Sequence, residues 1–595
     1  MPSSAVPAGI VVLYGSQGGT ASDVALWLAS RLRQFHEKVA CDSANSFADK
    51  PLKTSEVYIF VVSTSGNGEF PLNASRFWER LKNLETRRLP GNFAKFAVFG
   101  LGDSKYTQFN FAARKIYGRM IDLGGCPICQ LGCGDDQHAL GYSQELIPWV
   151  SLLWKSLFGA DFIDSVSTPM PLATPEFQLC NSTPRSFAKL VSSARMASAG
   201  HFQEIRQMEF MLMEVWNYEP GDVLVVLPKV SRDTALRFIC ETLRDEPTRK
   251  VFGYSLEILF TEIFDITSIP SHLFYELLFA SFSEQVSGRD LTDEETLIRD
   301  KLSVLSSFSA EGANERLRYS FRERMTVWEV LGDFHQVRIS VDRLVGCLPR
   351  IAPRYYSVSA PVSKRKERVI STCGRIPISI AEIAVASVDY TTLLGRHRTG
   401  LASSYLKSLA IGSSTNRVWM QRGFNNGLSA RIKSAGSLIL FGPGTGVAPI
   451  RAIALACKGI KSMLLFSGFR NETSDFIFEQ DLRNHFHSDS TQVAIAWSRP
   501  NQMDRSLPWT WSGFGVNIPA GPGCGIGRKT WVQDLIGVVQ DRLEQLLADE
   551  STVILIAGRS HPMPQQIIDS LETILGKPRI DALSREGRIV YDTWG

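Results

Sequence analysis

The sequence predicts a multidomain α/β chain, and three observations lead there. Short apolar runs alternate with helix-length amphipathic segments at both ends of the chain. Between them lies a stretch of alternating polarity punctuated by Gly and Pro, and the length of 595 residues fills roughly three to four domains at about 100 to 200 residues each. Taken in order, Ile10–Leu13, Val57–Val62 and Phe96–Phe99 read as strands of a parallel sheet wound on both faces, giving a first domain over 1–158. A Ser-, Thr- and Pro-rich segment over 159–185 has the composition of a flexible linker. Residues 186–435 read as a β-barrel carrying a helical connecting insert at about 232–345. From 436 to 595 the strand and helix alternation returns, predicting a second, Rossmann-like wound domain.

Composition narrows the function classes. Lys plus Arg number 64 against 60 Asp plus Glu, a net charge of +4, so a broad basic face for nucleic acid is not expected. Ten cysteines without regular spacing point to a reducing compartment. The opening residues pass into the strand Ile10–Tyr14 without a signal-peptide pattern, and no run of about 18 apolar residues occurs. The expectation is a cytoplasmic chain with no membrane anchor.

The motifs that carry chemistry are loops at strand ends. Ser16, Gln17, Gly18, Gly19 and Thr20 follow a strand and open a helix, where converging amides and the helix dipole favour a phosphate. Ser63 to Glu69, with Thr64, Ser65, Gly66 and Asn67, form a second such loop, and Gly100 to Tyr106, with Asn110 beyond, a third. In this order the loops resemble the flavodoxin-like domain of diflavin reductases. The resemblance implies that Ser16–Thr20 hold the FMN phosphate, that Thr64–Asn67 line the ring with Tyr106 stacked on it, and that Gly102, Asn110 and Asp135 complete the pocket. Many relatives carry an aromatic residue where Ser65 stands.

In the middle domain Arg354, Tyr355, Tyr356 and Ser357 place a guanidinium, aromatic rings and a hydroxyl on one short strand. Gly400, Leu401, Ala402 and Ser403 form a small-residue turn at a helix start. Arg can take a pyrophosphate in a bidentate way, and turn amides can take its other oxygens. The pair resembles the FAD-binding signature of the ferredoxin-NADP reductase superfamily, as do the segments His201–Arg206 and Tyr218–Val226.

The third domain opens with a Gly-rich turn, Gly442 to Pro449, containing Gly444 and Thr445, which is similar to that superfamily's NADP-binding turn. The resemblance implies that Ser498, Arg499, Lys529, Trp531 and Gln533 hold the adenosine 2′-phosphate end. Two charge-assisted contacts at about 1.5 to 3 kcal/mol each give about two to four decades of preference for NADPH over NADH. Trp594, next to the last residue, would cover the FAD ring as a gate, with Ser357 and Asp592 beside the reacting atoms. Ala557 stands where microsomal members carry a cysteine. Cys126, Cys129 and Cys133 lack an evident fourth metal ligand and read as reduced thiols, so no metal is expected.

The chain is thus identified by resemblance as a member of the NADPH-dependent diflavin oxidoreductase family, on the cytosolic branch. That implies electron passage from NADPH through FAD and FMN to a one-electron protein acceptor, an anamorsin-like iron-sulfur protein of cytosolic iron-sulfur cluster assembly. The alternatives are a reductase for a haem protein or for sulfite or methionine synthase, or an inactive flavin-binding scaffold.

Overall fold

The computed structural model describes residues 7–65, 68–85, 94–106, 108–162, 187–212, 216–362, 370–371, 374–375, 379–423, 428–457, 459–484, 491–499 and 530–594. The expected linker lies outside the described residues from 163 onward, as do Gly66, Asn67, Lys529 and the stretch between Arg499 and Lys529. The chain divides into two compact units. One comprises Met1–Cys180, Lys229–Ala352 and Thr391–His397; the other comprises Asn181–Pro228, Pro353–Tyr390 and Arg398–Gly595. The helical insert therefore groups with the N-terminal wound domain, and the barrel strands group with the C-terminal one.

In the first unit, β1 (Gly9–Gly15), α1 (Thr20–Arg33), β2 (Val39–Ser43), β3 (Glu56–Ser63), α2 (Leu72–Asn83), β4 (Lys95–Gly102), α3 (Phe111–Asp122), β5 (Cys126–Pro127), β6 (Gly132–Asp135) and α4 (Ser143–Phe158) follow in order. The strands pair in parallel as β2-β1-β3-β4, and β4 pairs with both β5 and β6. β3 is buried over six consecutive residues, the near-continuous apolar run of a strand covered on both faces. Strand order reverses between β1 and β3, so the loops after them open at the switch point where wound sheets bind ligands.

The insert contributes α5 (His272–Gln285), α6 (Asp293–Ser306) and α7 (Val327–Asp333). Their starts are local chemistry: Thr292 with Glu295, and Thr326 with Glu329, form reciprocal capping boxes. α1 is fastened to α5 by Glu276, whose carboxylate accepts from Trp27 Nε1 at 2.8 Å and from Arg31 Nη2 at 2.5 Å, all of these side chains being buried. Trp27 also stacks on Phe308 at 4.2 Å between ring centres.

In the second unit, β7 (Ala188–Arg195), β8 (Ile205–Leu212), β9 (Val223–Val226), β10 (Arg354–Ser357), β11 (Ser379–Ala386), α8 (Leu401–Ser408) and β12 (Val418–Gln421) build the barrel. Two antiparallel sheets close around Phe210, Leu224, Val226, Ile383 and Leu406: β11-β8-β7 with the short strand Ser414–Thr415, and β10-β9-β12. β13 (Ser437–Phe441), α9 (Val447–Ala456), β14 (Ser462–Phe469), β15 (Thr491–Trp497), β16 (Val553–Arg559), α10 (Met563–Leu575), α11 (Lys577–Arg585) and β17 (Ile589–Trp594) follow. These strands form a parallel sheet ordered β15-β14-β13-β16-β17, with the reversal between β13 and β16. The C-terminal segment is a strand of that sheet, Asp592 standing opposite Ala557 and Trp594 opposite Arg559. Among the described residues no helix is long and apolar enough to cross a membrane.

Candidate functional site

At the first switch point the β1–α1 loop is braced from below and open above. Ser16 N donates to Asn73 Oδ1 at 2.9 Å, and Gly19 N donates to Ser16 Oγ at 3.0 Å. A Cβ on Gly18 or Gly19 would meet nothing within 4 Å, and Gly19 has φ 104°. The loop therefore presents bare backbone outward, as a phosphate cradle requires. Thr64 N donates to Leu101 O at 3.0 Å, and Ser65 and Glu69 exchange backbone hydrogen bonds of 2.8 and 2.9 Å, closing the second loop. Tyr106, half-buried, sits on the third, its amide donating to Asp103 O at 3.1 Å.

Asn110 and Asp135 are both buried and tied to neighbouring backbone. Asn110 is fully buried in the left-handed region at φ 53°, and its Nδ2 donates to Gly134 O at 3.0 Å. Its Oδ1 is buried with no hydrogen-bond partner and lies where a side chain on Gly100 or Gly102 would stand. Asp135 accepts from Ser104 N at 2.9 Å and from Gln137 N at 3.0 Å, and these hydrogen bonds hold its carboxyl below the usual range despite burial. Both side chains fix loops in place. The open space beside Gly18 and Gly19, at the start of α1, fits a phosphate-bearing group at this edge.

In the barrel, β10 alternates its faces, so Arg354 and Tyr356 share one side and Tyr355 and Ser357 the other. Tyr356 packs against the barrel core, while Arg354 is exposed. Burial pushes both tyrosine hydroxyls up to about 12. Gly400 N donates to Val388 O at 2.8 Å, and Ser403 Oγ accepts from Val388 N at 3.2 Å. A Cβ on Gly400 would lie 2.7 Å from Val388 Cβ, so this turn admits only glycine. Leu401 and Ala402 open α8 directly behind it.

Ser357 Oγ donates to Asp592 Oδ2 at 3.2 Å, joining the barrel strand to the last strand of the C-terminal sheet. Desolvation by burial pushes Asp592 up to about 6, with the Ser357 hydrogen bond pulling the other way. Trp594 ends the same strand at 36% exposure, its carbonyl accepting from Ser560 N at 2.8 Å.

The Gly-rich turn after β13 is shaped by packing. Gly446 lies against β16, where an added Cβ would stand 2.3 Å from Ala557 O, and Gly444 has φ 56° with open space beside it. Thr445 sits between them in the helical turn that starts α9. Beyond β15, Ser498 N donates to Phe469 O at 2.9 Å and Arg499 N to Arg470 O at 2.7 Å. Thr530 N donates to Trp497 O at 2.9 Å, which brings Trp531, 48% exposed, to the end of the same strand. Gln533 Nε2 donates to Gln566 Oε1 at 3.3 Å. Sequence reasoning did not find Arg451 on α9, whose buried guanidinium donates to Glu382 Oε1 at 2.6 Å, Asp481 Oδ2 at 2.5 Å and Ser359 O at 2.6 Å. No local pattern marks it, because its partners lie on other elements.

Comparison with known proteins bears on both ends of this arrangement. A family model described as Flavodoxin matches residues 12–149, and one described as FAD binding domain matches residues 244–405. A Schizosaccharomyces pombe protein named NADPH-dependent diflavin oxidoreductase 1 is 28% identical over 98% of this chain and 99% of its own length. Proteins of the same name from Bos taurus and Arabidopsis thaliana are 29% and 27% identical, covering 100% and 98% of this chain and 100% and 99% of their own lengths. Over nearly its full length the chain is thus similar to proteins named NADPH-dependent diflavin oxidoreductase 1, and it carries a flavodoxin match and an FAD-binding match. It is an oxidoreductase whose flavodoxin and FAD-binding matches imply the flavins FMN and FAD. In this oxidoreductase the first switch point lies inside the flavodoxin match, and the barrel strand Arg354–Ser357 and the turn Gly400–Ser403 lie inside the FAD-binding match.

Proposed function

We propose that the oxidoreductase takes electrons from NADPH, passes them through FAD and then FMN, and delivers them singly to a protein acceptor. The acceptor we propose is an anamorsin-like iron-sulfur protein of cytosolic iron-sulfur cluster assembly, in the cytoplasm. When bound, the flavins supply the conversion of a two-electron hydride into single electrons. Ser16, Gln17, Gly18, Gly19 and Thr20 hold the FMN phosphate; Thr64, Ser65, Gly66, Asn67 and Tyr106 line the ring, and Gly102, Asn110 and Asp135 hold the loops that carry them. Arg354, Tyr355, Tyr356 and Ser357, with Gly400 to Ser403, hold FAD. Gly444, Thr445, Ser498, Arg499, Lys529, Trp531 and Gln533 hold the nicotinamide dinucleotide, and Trp594 shields the reacting face from water.

The observation that carries this reading is the Ser357 Oγ to Asp592 Oδ2 contact of 3.2 Å, which joins residues 235 apart in sequence. A carboxyl pushed up to about 6 is mostly ionised at neutral pH. It then offers negative charge where a nicotinamide becomes positive on giving up hydride, while Ser357 keeps its proton directed at Oδ2 and fixes the carboxylate's orientation. The test is anaerobic, NADPH-driven reduction of ferricyanide, of purified anamorsin-type iron-sulfur protein, of cytochrome c and of the sulfite-reductase haemoprotein. The reading predicts ferricyanide reduction and fastest protein reduction with the iron-sulfur partner. Ferricyanide reduction with faster transfer to a haem protein would overturn the acceptor, and no reduction of any acceptor would leave a scaffold.

A further inference from the structure

The connection between β7 and β8, within the second unit, is held as a rigid arm. Arg195 donates to Ala197 O and Ser198 O, each at 2.9 Å, and to Ala199 O at 3.4 Å. Ser198 N then donates to Ser474 O at 2.7 Å, pinning the arm to the loop after β14. At its tip Phe202 is 61% exposed, yet its ring lies under the guanidinium of Arg470 with the guanidinium carbon 3.7 Å from the ring centre. His201 packs beside it at 4.7 Å between ring centres.

Arg470 is an unusual residue to hold this way. The nearby Asp475 carboxylate is occupied by backbone: it accepts from Arg470 N at 2.9 and 3.0 Å and from Asn471 N at 2.8 Å. Among the described residues the Arg470 guanidinium forms no ion pair. Its neighbour instead is Arg499, bonded through backbone at the end of the adjacent strand, and partial burial and then that second positive charge push the Arg470 guanidinium down. Two guanidinium-bearing residues at the ends of adjacent strands, with the nearby Asp475 carboxylate hydrogen-bonded to backbone and offsetting only part of their charge, favour a dianion.

We propose that Phe202 is a positioning residue for NADPH. Its ring holds Arg470 beside Arg499 so that both guanidinium groups converge on the adenosine 2′-phosphate, and the barrel arm thereby contributes to the choice of NADPH over NADH. This rests on the assignment of Arg499 to the 2′-phosphate under the proposed function. A cation held over an exposed aromatic ring contributes about a two- to fivefold factor in binding.

The test is calorimetric titration of the full-length flavin-replete protein with 2′,5′-ADP and with 5′-ADP. Phe202→Ala is expected to weaken 2′,5′-ADP about two- to fivefold and to leave 5′-ADP unchanged, Phe202→Trp to restore the affinity, and Phe202→Ala to have no further effect in an Arg470→Ala background. In turnover, Phe202→Ala is expected to raise KM for NADPH by the same factor without raising KM for NADH. Equal weakening of both nucleotides, unchanged 2′,5′-ADP binding, or effects of the two substitutions that simply add would overturn the proposal. Wild-type protein that does not prefer 2′,5′-ADP to 5′-ADP would instead remove the 2′-phosphate assignment, and this proposal with it.

Discussion

The two wound sheets begin alike, a strand, a Gly-rich turn and a helix, but the glycines do different jobs. After β1, a side chain on Gly18 or Gly19 would enter open space; after β13, one on Gly446 would run into the backbone of Ala557. The first turn keeps its backbone bare for something that approaches from outside, and the second uses glycine to let α9 sit down on β16. Each following helix carries one buried arginine that reaches beyond its own sheet, Arg31 to Glu276 of the insert and Arg451 to Glu382 and Asp481. Among the described residues Trp27 and Arg31 meet on the Glu276 carboxylate, whereas Arg451 meets Glu382 and Asp481. Similar glycine-rich signals thus leave open backbone at Gly18, Gly19 and Gly444 and make a packing joint at Gly446, and what anchors each helix is invisible locally.

Glu276→Ala should have the largest effect. It removes the carboxylate beneath a buried guanidinium and a buried indole N–H and is expected to cost about 3 to 5 kcal/mol in urea unfolding. Glu382→Ala, which leaves Asp481 on Arg451, is expected to cost less, about 1.5 to 3 kcal/mol. Equal losses would erase the contrast between the two anchors. Gly446→Ala comes next: a Cβ 2.3 Å from a backbone oxygen forces a shift costing about 1 to 3 kcal/mol, read as a lower unfolding midpoint.

Asp592 gives a pH signature. A carboxyl raised to about 6 in the folded protein contributes stability that is fully present below its ordinary value of 3.8 and is lost as pH rises through about 6. Asp592→Asn is therefore expected to gain on wild type by about 2 kcal/mol between pH 4 and pH 7, measured by denaturation across that window. Turnover runs the other way: the wild-type rate should fall as pH drops through about 6, and Asp592→Asn should be flat there and about 100-fold slower. The smallest stability effect belongs to Gly18→Ala, within about 0.5 kcal/mol of wild type, with weaker FMN retention on dialysis. A large stability loss there would mean that the first turn, like the second, is a packing joint.

The sequence made the α/β class and the Gly-rich turns readable because period-two and helical patterns, and glycine at a strand-to-helix turn, are local consequences of backbone sterics. Ser357 and Asp592 were reachable only through family resemblance, since nothing local ties residues that meet across 235 positions. The interior placement of Asn110, the double anchor on Arg451 and the ring beneath Arg470 depend on partners from other elements. That the final segment is a strand was likewise hidden, because its pairing with β16 is what makes it one.

The most direct test of the central claim is to release the flavins from purified protein and quantify each kind separately. Two distinct pockets in one chain predict FMN and FAD in equal amounts, one of each per polypeptide; a single kind of flavin, however abundant, would contradict it.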